Sequence, residues 1–272
     1  MAVIAMTREM GTHGRDVAAA VAQRLGLELV HHELVEHDIA EQSGLLESEV
    51  HRFLEGGVSL LERLTLDRKR LARCTRLEIL QLAARGNVLI RGWGATFLLR
   101  SIPHVVCVRI CAPLRFRELV MMERLGLKQA SLARREIVRN DAAHNGTMQK
   151  LFGIDWIDPS LYSIALNTAR VPVADCTNYI VRMAESPAFQ ETAQSKALLH
   201  DELVGARVRQ ALDQRFGMHG IDIDVSNGTV VLTGASTDDK QIVDMIRLAN
   251  GVEGVTRVES HIERVTFIPP MM

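Results

Sequence analysis

The chain has 272 residues, 47% of them apolar and 24% charged, with a formal net charge of −1, so overall charge points to neither nucleic acid nor a membrane surface, and the length allows two domains. The four cysteines, Cys74, Cys107, Cys111 and Cys176, form no C-x-x-C pair, a usage that suits a reducing cytoplasm. The apolar start ends at Met6, too short for a signal peptide or an integral membrane segment.

Ala2–Met6 reads as a buried parallel strand. Gly11, Thr12, His13 and Gly14 make a small-residue turn, and Arg15–Leu25 carries Val17, Val21, Ala22 and Leu25 at helical spacing before Gly26 stops it. Strand, glycine turn and helix together aim backbone N–H groups and a positive helix end at a phosphate. The P-loop pattern G-x-x-x-x-G-K-[ST] is half present: Gly14 fits its second glycine, Arg15 stands for the lysine, Asp16 for Ser/Thr, and Glu9 for the first glycine. On spacing alone, an ordinary glycine turn explains the stretch slightly better.

Leu27–Val30 is a short strand leading to His31-His32-Glu33-Leu34-Val35. Residues 36–85 read as helices broken at Gly56-Gly57, with a leucine stripe and a basic middle (Arg63, Arg68, Lys69, Arg70, Arg73, Arg76) that suits a solvated face, a lid or a subunit contact. Asn87–Ile90 is a strand followed by Arg91-Gly92-Trp93-Gly94-Ala95. Val105–Cys111 is another, entering a helix through Pro113 with Arg115, Arg117 and Arg124. Ser131 caps the next helix, which carries Arg134, Arg135, Arg139, Asp141 and His144. Ser163–Thr168 is the last strand of this half and Pro172–Met183 its closing helix. Apolar strands alternating with helices predict an open parallel sheet with ligand beyond the strands' carboxyl ends.

Residues 186–197 are polar, with a proline, and read as a linker. Beyond them come a helix, two alternating strands joined by Asn227-Gly228, a helix over Lys240–Ala249 and a strand from Val252 to Ile262. Between His200 and Arg264 there are seven Lys/Arg against eleven Asp/Glu, a poor match for anionic lipid.

The motif MTREMGTHGRDVAAAV, the G-W-G-A-x-x-x-L segment, Ala112-Pro113 with Arg117, the ARREIVRND run and D-W-x-D-P-x-x-Y with SIALNT resemble the cytidylate kinase-like family of P-loop proteins. The segment from about 198 to 265 resembles a BON domain. The resemblance implies an α/β P-loop fold, a three-layer αβα parallel sheet with helices on both faces, over residues 1–185, and a small α+β (αββαβ) BON domain over 198–265. It implies transfer of the γ-phosphoryl group of ATP to a nucleoside monophosphate, CMP being the first candidate, with Mg²⁺. Gly11, Thr12, His13, Gly14, Arg15 and Asp16 would hold the nucleotide, and Asp16 the metal. Arg134, Arg135 and Arg139 would close on the phosphoryl group, with Arg15 and Asp16 sharing in catalysis. His32, Arg91, Trp93, Arg117, Asp141 and His144 would face the acceptor. His31, His32, Trp93, His144 and Gln149 depart from the family's residues, which favours a nucleotide-binding regulator with little turnover as the rival. Histidines at 32 and 144, where relatives commonly carry arginine, would make activity rise as pH falls toward ~6. The BON domain would bind a protein or small ligand in a regulatory role.

Overall fold

The computed structural model describes residues 1–31, 68–92, 94–217 and 220–265, together with positions 40, 48 and 50. The chain divides into two compact units, Met1–Thr192 and Ala193–Met272.

In the first unit the order is β1 (Val3–Arg8), α1 (Gly14–Leu25), β2 (Glu28–Val30), α2 (Arg68–Arg85), β3 (Val88–Arg91), α3 (Ala95–Leu98), β4 (Val105–Cys111), α4 (Leu114–Leu125), α5 (Ala130–Phe152), β5 (Ile164–Asn167) and α6 (Val173–Ala184). The five strands are all parallel, in the order β2-β3-β1-β4-β5. β1 is the middle strand, and its Ile4, Ala5 and Met6 are wholly buried. Helices cover both faces, which is why the strands are continuous apolar runs. Val17, Val21 and Ala22 of α1 join Cys176 and Ile180 of α6 in one core with Ile4, Met6, Val106 and Val108. α2 packs on β3 and against α3 and α5, burying Leu71, Ile79 and Leu80. Register places Val3 beside both Val88 and Val105, so Arg8, Arg91 and Cys111 close neighbouring strands at one edge.

Element ends differ from the sequence reading by a residue or two. One difference is chemical: α5 starts at Ala130 with Gln129 in the cap position and no side-chain cap bond, so Ser131 lies inside the first turn and does not cap the helix. Gly56-Gly57 and the helices expected before Arg68 lie outside the described residues, as do His32 and Trp93.

The second unit runs α7 (Ala193–Phe216), β6 (Ile221–Ser226), β7 (Thr229–Ser236), α8 (Asp239–Asn250) and β8 (Arg257–Arg264), the expected αββαβ order. β6 and β7 pair antiparallel, and β7 and β8 parallel. Asn227 and Gly228 take φ of 49° and 75°, the two left-handed positions that a two-residue hairpin turn requires. α7 lays Val204, Val208 and Leu212 on Ile221, Val230, Leu232, Met245 and Ala249. It begins within the stretch read as linker, where Pro187–Phe189 is already a 3₁₀ turn. The last strand is shorter than expected. Residues 252–256 form a turn, with Val255 N–H donating to Val252 O and Thr256 N–H to Gly228 O.

Candidate functional site

The turn between β1 and α1 has its carbonyls tied inward. Thr12 Oγ1 donates to Glu9 O (2.7 Å), Arg117 Nε to Met10 O (2.7 Å) and Thr168 Oγ1 to Thr12 O (2.7 Å). His13 O accepts from the amides of Asp16 and Val17. The amides from Met10 through Arg15 have no acceptor among the described residues. Gly11, Thr12 and Gly14 are nevertheless buried. Buried N–H groups that lack a partner are rare and call for an acceptor. A row of them at a helix start, with positive φ at Gly11 (78°) and His13 (55°), forms an anion-binding concavity. Gly11 is required twice: for its φ, and because a Cβ there would lie 2.7 Å from the Arg117 carbonyl of α4. His13 bears a side chain in a left-handed position; its ring meets Phe116 edge-on at 5.9 Å and its Nδ1 lies 3.0 Å from Asp16 Oδ2.

Arg15 is exposed at the start of α1. Arg91, expected in the acceptor site, ends β3 and is buried. Both lie close enough to Arg8, at the end of β1, to act on it electrostatically, as does Arg124 of α4. Burial first, and then the charges of Arg91, Arg15 and Arg124, pull the Arg8 pKa down to about 9, with Asp16 opposing. Sequence reasoning assigned Arg8 no role. The signal was there: an arginine closing an apolar strand just before a glycine turn.

A second network braces the turn from behind. Arg109, inside β4, donates to Glu9 Oε1 (2.6 Å) and to Trp156 O (2.5 Å), with its guanidinium 4.6 Å from the Trp156 ring centre. Ala112 N–H donates to Glu9 Oε2 (3.1 Å). Arg117, 4% exposed, forks onto Asp141 at 2.9 and 2.7 Å and lies 3.5 Å from Glu9 Oε2. Arg117 and Asp141, expected to face the acceptor, are thus brought together as a brace that fixes Met10 and links α4 to α5.

Two of the three α5 arginines, Arg134 and Arg139, are paired with glutamates of this unit. At about 100° per residue, Ala133, Ile137, His144 and Met148 share the packed side, and Arg135 and Arg139 lie opposite it. Arg139 pairs with Glu136 (2.8 Å), and Arg134 with the buried Glu118 (2.5 Å). His144 meets Trp156 edge-on at 4.4 Å. Burial first pulls its pKa to about 4; Asp141 opposes, and Arg109 and Arg8 reinforce. The expectation that His144 charges near pH 6 is therefore corrected: its ring is packed on an indole beside two arginines and stays neutral there.

The residues fit a phosphate chain: open amides, tied carbonyls and arginines at adjacent strand ends. For a metal they offer Asp16, 63% exposed, and no group of three or more His, Cys, Asp or Glu able to hold a metal ion among the described residues. Such a set holds Mg²⁺ only together with phosphate oxygens and water, its usual mode beside nucleotides. No helix among the described residues is long and apolar enough to cross a membrane.

A profile described as the cytidylate kinase-like family matches residues 3–170, and one described as the BON domain matches residues 200–266. Cytidylate kinase of Pyrobaculum aerophilum is 25% identical over 178 residues, 64% of this chain and 88% of that one. The crystal structure of an uncharacterized protein from Eubacterium ventriosum matches with a TM-score of 0.53 and 19% identity, over 68% of this chain and 99% of that one, a likeness of fold.

Proposed function

Because the chain belongs to the cytidylate kinase-like family, we propose that its first unit moves the γ-phosphoryl group of ATP to a nucleoside monophosphate, CMP being the first to test. The observation that carries this reading is the turn at Met10–Arg15, whose amides are open while its carbonyls are held by Thr12, Arg117 and Thr168. In the reaction an acceptor phosphate oxygen bonds to the γ-phosphorus as the bond to the β–γ bridging oxygen breaks, giving ADP and a nucleoside diphosphate. Catalysis of this kind is positioning and charge neutralisation. The turn amides would position the donor phosphates, Arg15 would neutralise them, and Asp16 would hold Mg²⁺ directly or through water. A metal held there would supply further neutralisation of phosphate charge. The second unit would serve as a regulatory or partner-binding module, and a kinase that draws on ATP would act in the cytoplasm.

Calorimetric titration with ATP·Mg²⁺, followed by a coupled assay across the nucleoside monophosphates, tests this. Micromolar binding and turnover with one acceptor support it; no binding overturns it. Arg15→Ala should weaken ATP by about 1.5–3 kcal/mol if one charge-assisted contact is lost. The second reading, a nucleotide-binding regulator with little turnover, is favoured by α5: Arg134 and Arg139 are paired within the unit. Tight ATP binding with no turnover on any acceptor would select it.

A further inference from the structure

We infer that His13 is a positioning residue of the turn: its ring holds the Asp16 carboxylate off the turn amides and so keeps them open to phosphate. The role rests on the nucleotide reading above and deepens it.

The nearest rival to an anion at a helix start is the helix's own acid. His13 occupies the cap position of α1 and Asp16 the third helical position. An acidic side chain there is favoured by the helix end and can turn back onto the amide of the cap residue, closing it. Asp16 does not do so. Its Oδ2 lies 3.0 Å from His13 Nδ1, and no turn amide donates to it among the described residues. A carboxylate only accepts, so the hydrogen of this contact sits on Nδ1. The ring of His13 thus fills the place that its own backbone amide would take in a capping box.

Two observations separate this contact from an ordinary surface pair. His13 carries its side chain at φ 55° and ψ 15°, a left-handed position that is costly for a residue with a Cβ, and it makes no side-chain cap bond in return. The ring is also seated on its other side, edge-on to Phe116 of α4 at 5.9 Å. Stability does not explain the arrangement, because Asp16 is exposed and exposed pairs contribute little. What the contact changes is the aim of the carboxylate. Asp16 stands beside a row of open amides and is turned to the ring instead of to them.

Hydrogen exchange of the full chain without nucleotide reads the amides directly. In His13→Gly the released carboxylate should fold back and protect the turn amides about fivefold, the worth of one cap bond. Loosening of the turn, the structural alternative, would speed exchange instead. Glycine suits the left-handed position, so the variant keeps the backbone of the turn. Calorimetric titration with ATP in the absence of metal reads the consequence, and His13→Gly should lose about fivefold in affinity. His13→Asn should keep most of the affinity, because asparagine tolerates the left-handed position and its amide can donate to Asp16. The Asp16→Ala background decides the matter: with no carboxylate to release, His13→Gly should there change neither exchange nor affinity. Unchanged or faster exchange in His13→Gly, or an equal loss of affinity with and without Asp16, would overturn the positioning role and leave the nucleotide reading standing. So would a wild type that binds ATP only with Mg²⁺, since the metal and not the ring would then clear the amides. A wild type that binds ATP neither with nor without Mg²⁺ would overturn both.

Discussion

His144 shows what a residue's neighbours do to its chemistry. Its folded pKa is about 4, below the ordinary histidine value, because burial disfavours the charged ring. The sign follows: on acidification the unfolded chain takes up the proton near ~6.5 and the folded one only near the lower value, so stability falls between the two. We expect His144→Phe to remove part of the stability lost between pH 7 and 4.5, about 2 kcal/mol, measured by urea unfolding at both pH values. An unchanged pH dependence would show that the ring is not held neutral. The same reasoning removes His144 as a cause of higher activity at pH 6. None of this was legible in sequence, because Trp156 and Arg109 reach His144 through the fold. Arg135 and Arg139 are a different case. Their place opposite Ala133 and Ile137 around the helix is readable from the spacing.

Among elements, the β1–turn–α1 unit was legible almost whole, since an apolar run, a glycine turn and a periodic helix are local signals. Its bracing was not, because Glu9 meets Arg109, Ala112 and Arg117 from across the sheet and α4. The hint was Arg109 itself, a charge within the apolar strand VVCVRIC. Removing one partner of a buried pair leaves the other uncompensated, so Arg109→Met should cost about 3–5 kcal/mol and Glu9→Gln with Arg109→Met together considerably less. A double-mutant cycle in urea measures this, and additive losses would refute the pairing. In the second unit, Asp201 of α7 accepts both hairpin amides, from Asn227 (2.8 Å) and Gly228 (2.9 Å). Asn227-Gly228 announced the hairpin in sequence; the carboxylate that receives its amides did not, lying 26 residues earlier. Asp201→Ala should lower stability of this unit by about 1–3 kcal/mol in thermal unfolding, with no loss of ATP binding.

At the scale of the molecule, the division at residues 192 and 193 bears on where the chain can be cut. A cut at 185, the boundary read from sequence, would strip contacts that belong to the first unit. Phe189 packs on its core, Gln190 Nε2 donates to Ala184 O (3.2 Å), and Glu191 Oε2 lies 3.5 Å from the Met1 amine. We propose that the units fold independently and that fragment 1–192 is the more stable N-terminal piece. It should exceed 1–185 by about 1–2 kcal/mol, mostly from the Phe189 side chain, and should bind ATP as the full chain does. The piece from 193 onward has its own core around Val208 and Leu232, but few residues to build it from. Domains that small bury a lesser fraction of their surface and are marginal, so it should unfold first. Urea unfolding of the full chain should then show two transitions, each matching one fragment alone. A single cooperative transition, or a fragment 1–192 that fails to fold, would mean that each unit needs the other, and the BON segment would be part of the kinase-like domain's stability rather than a separate module.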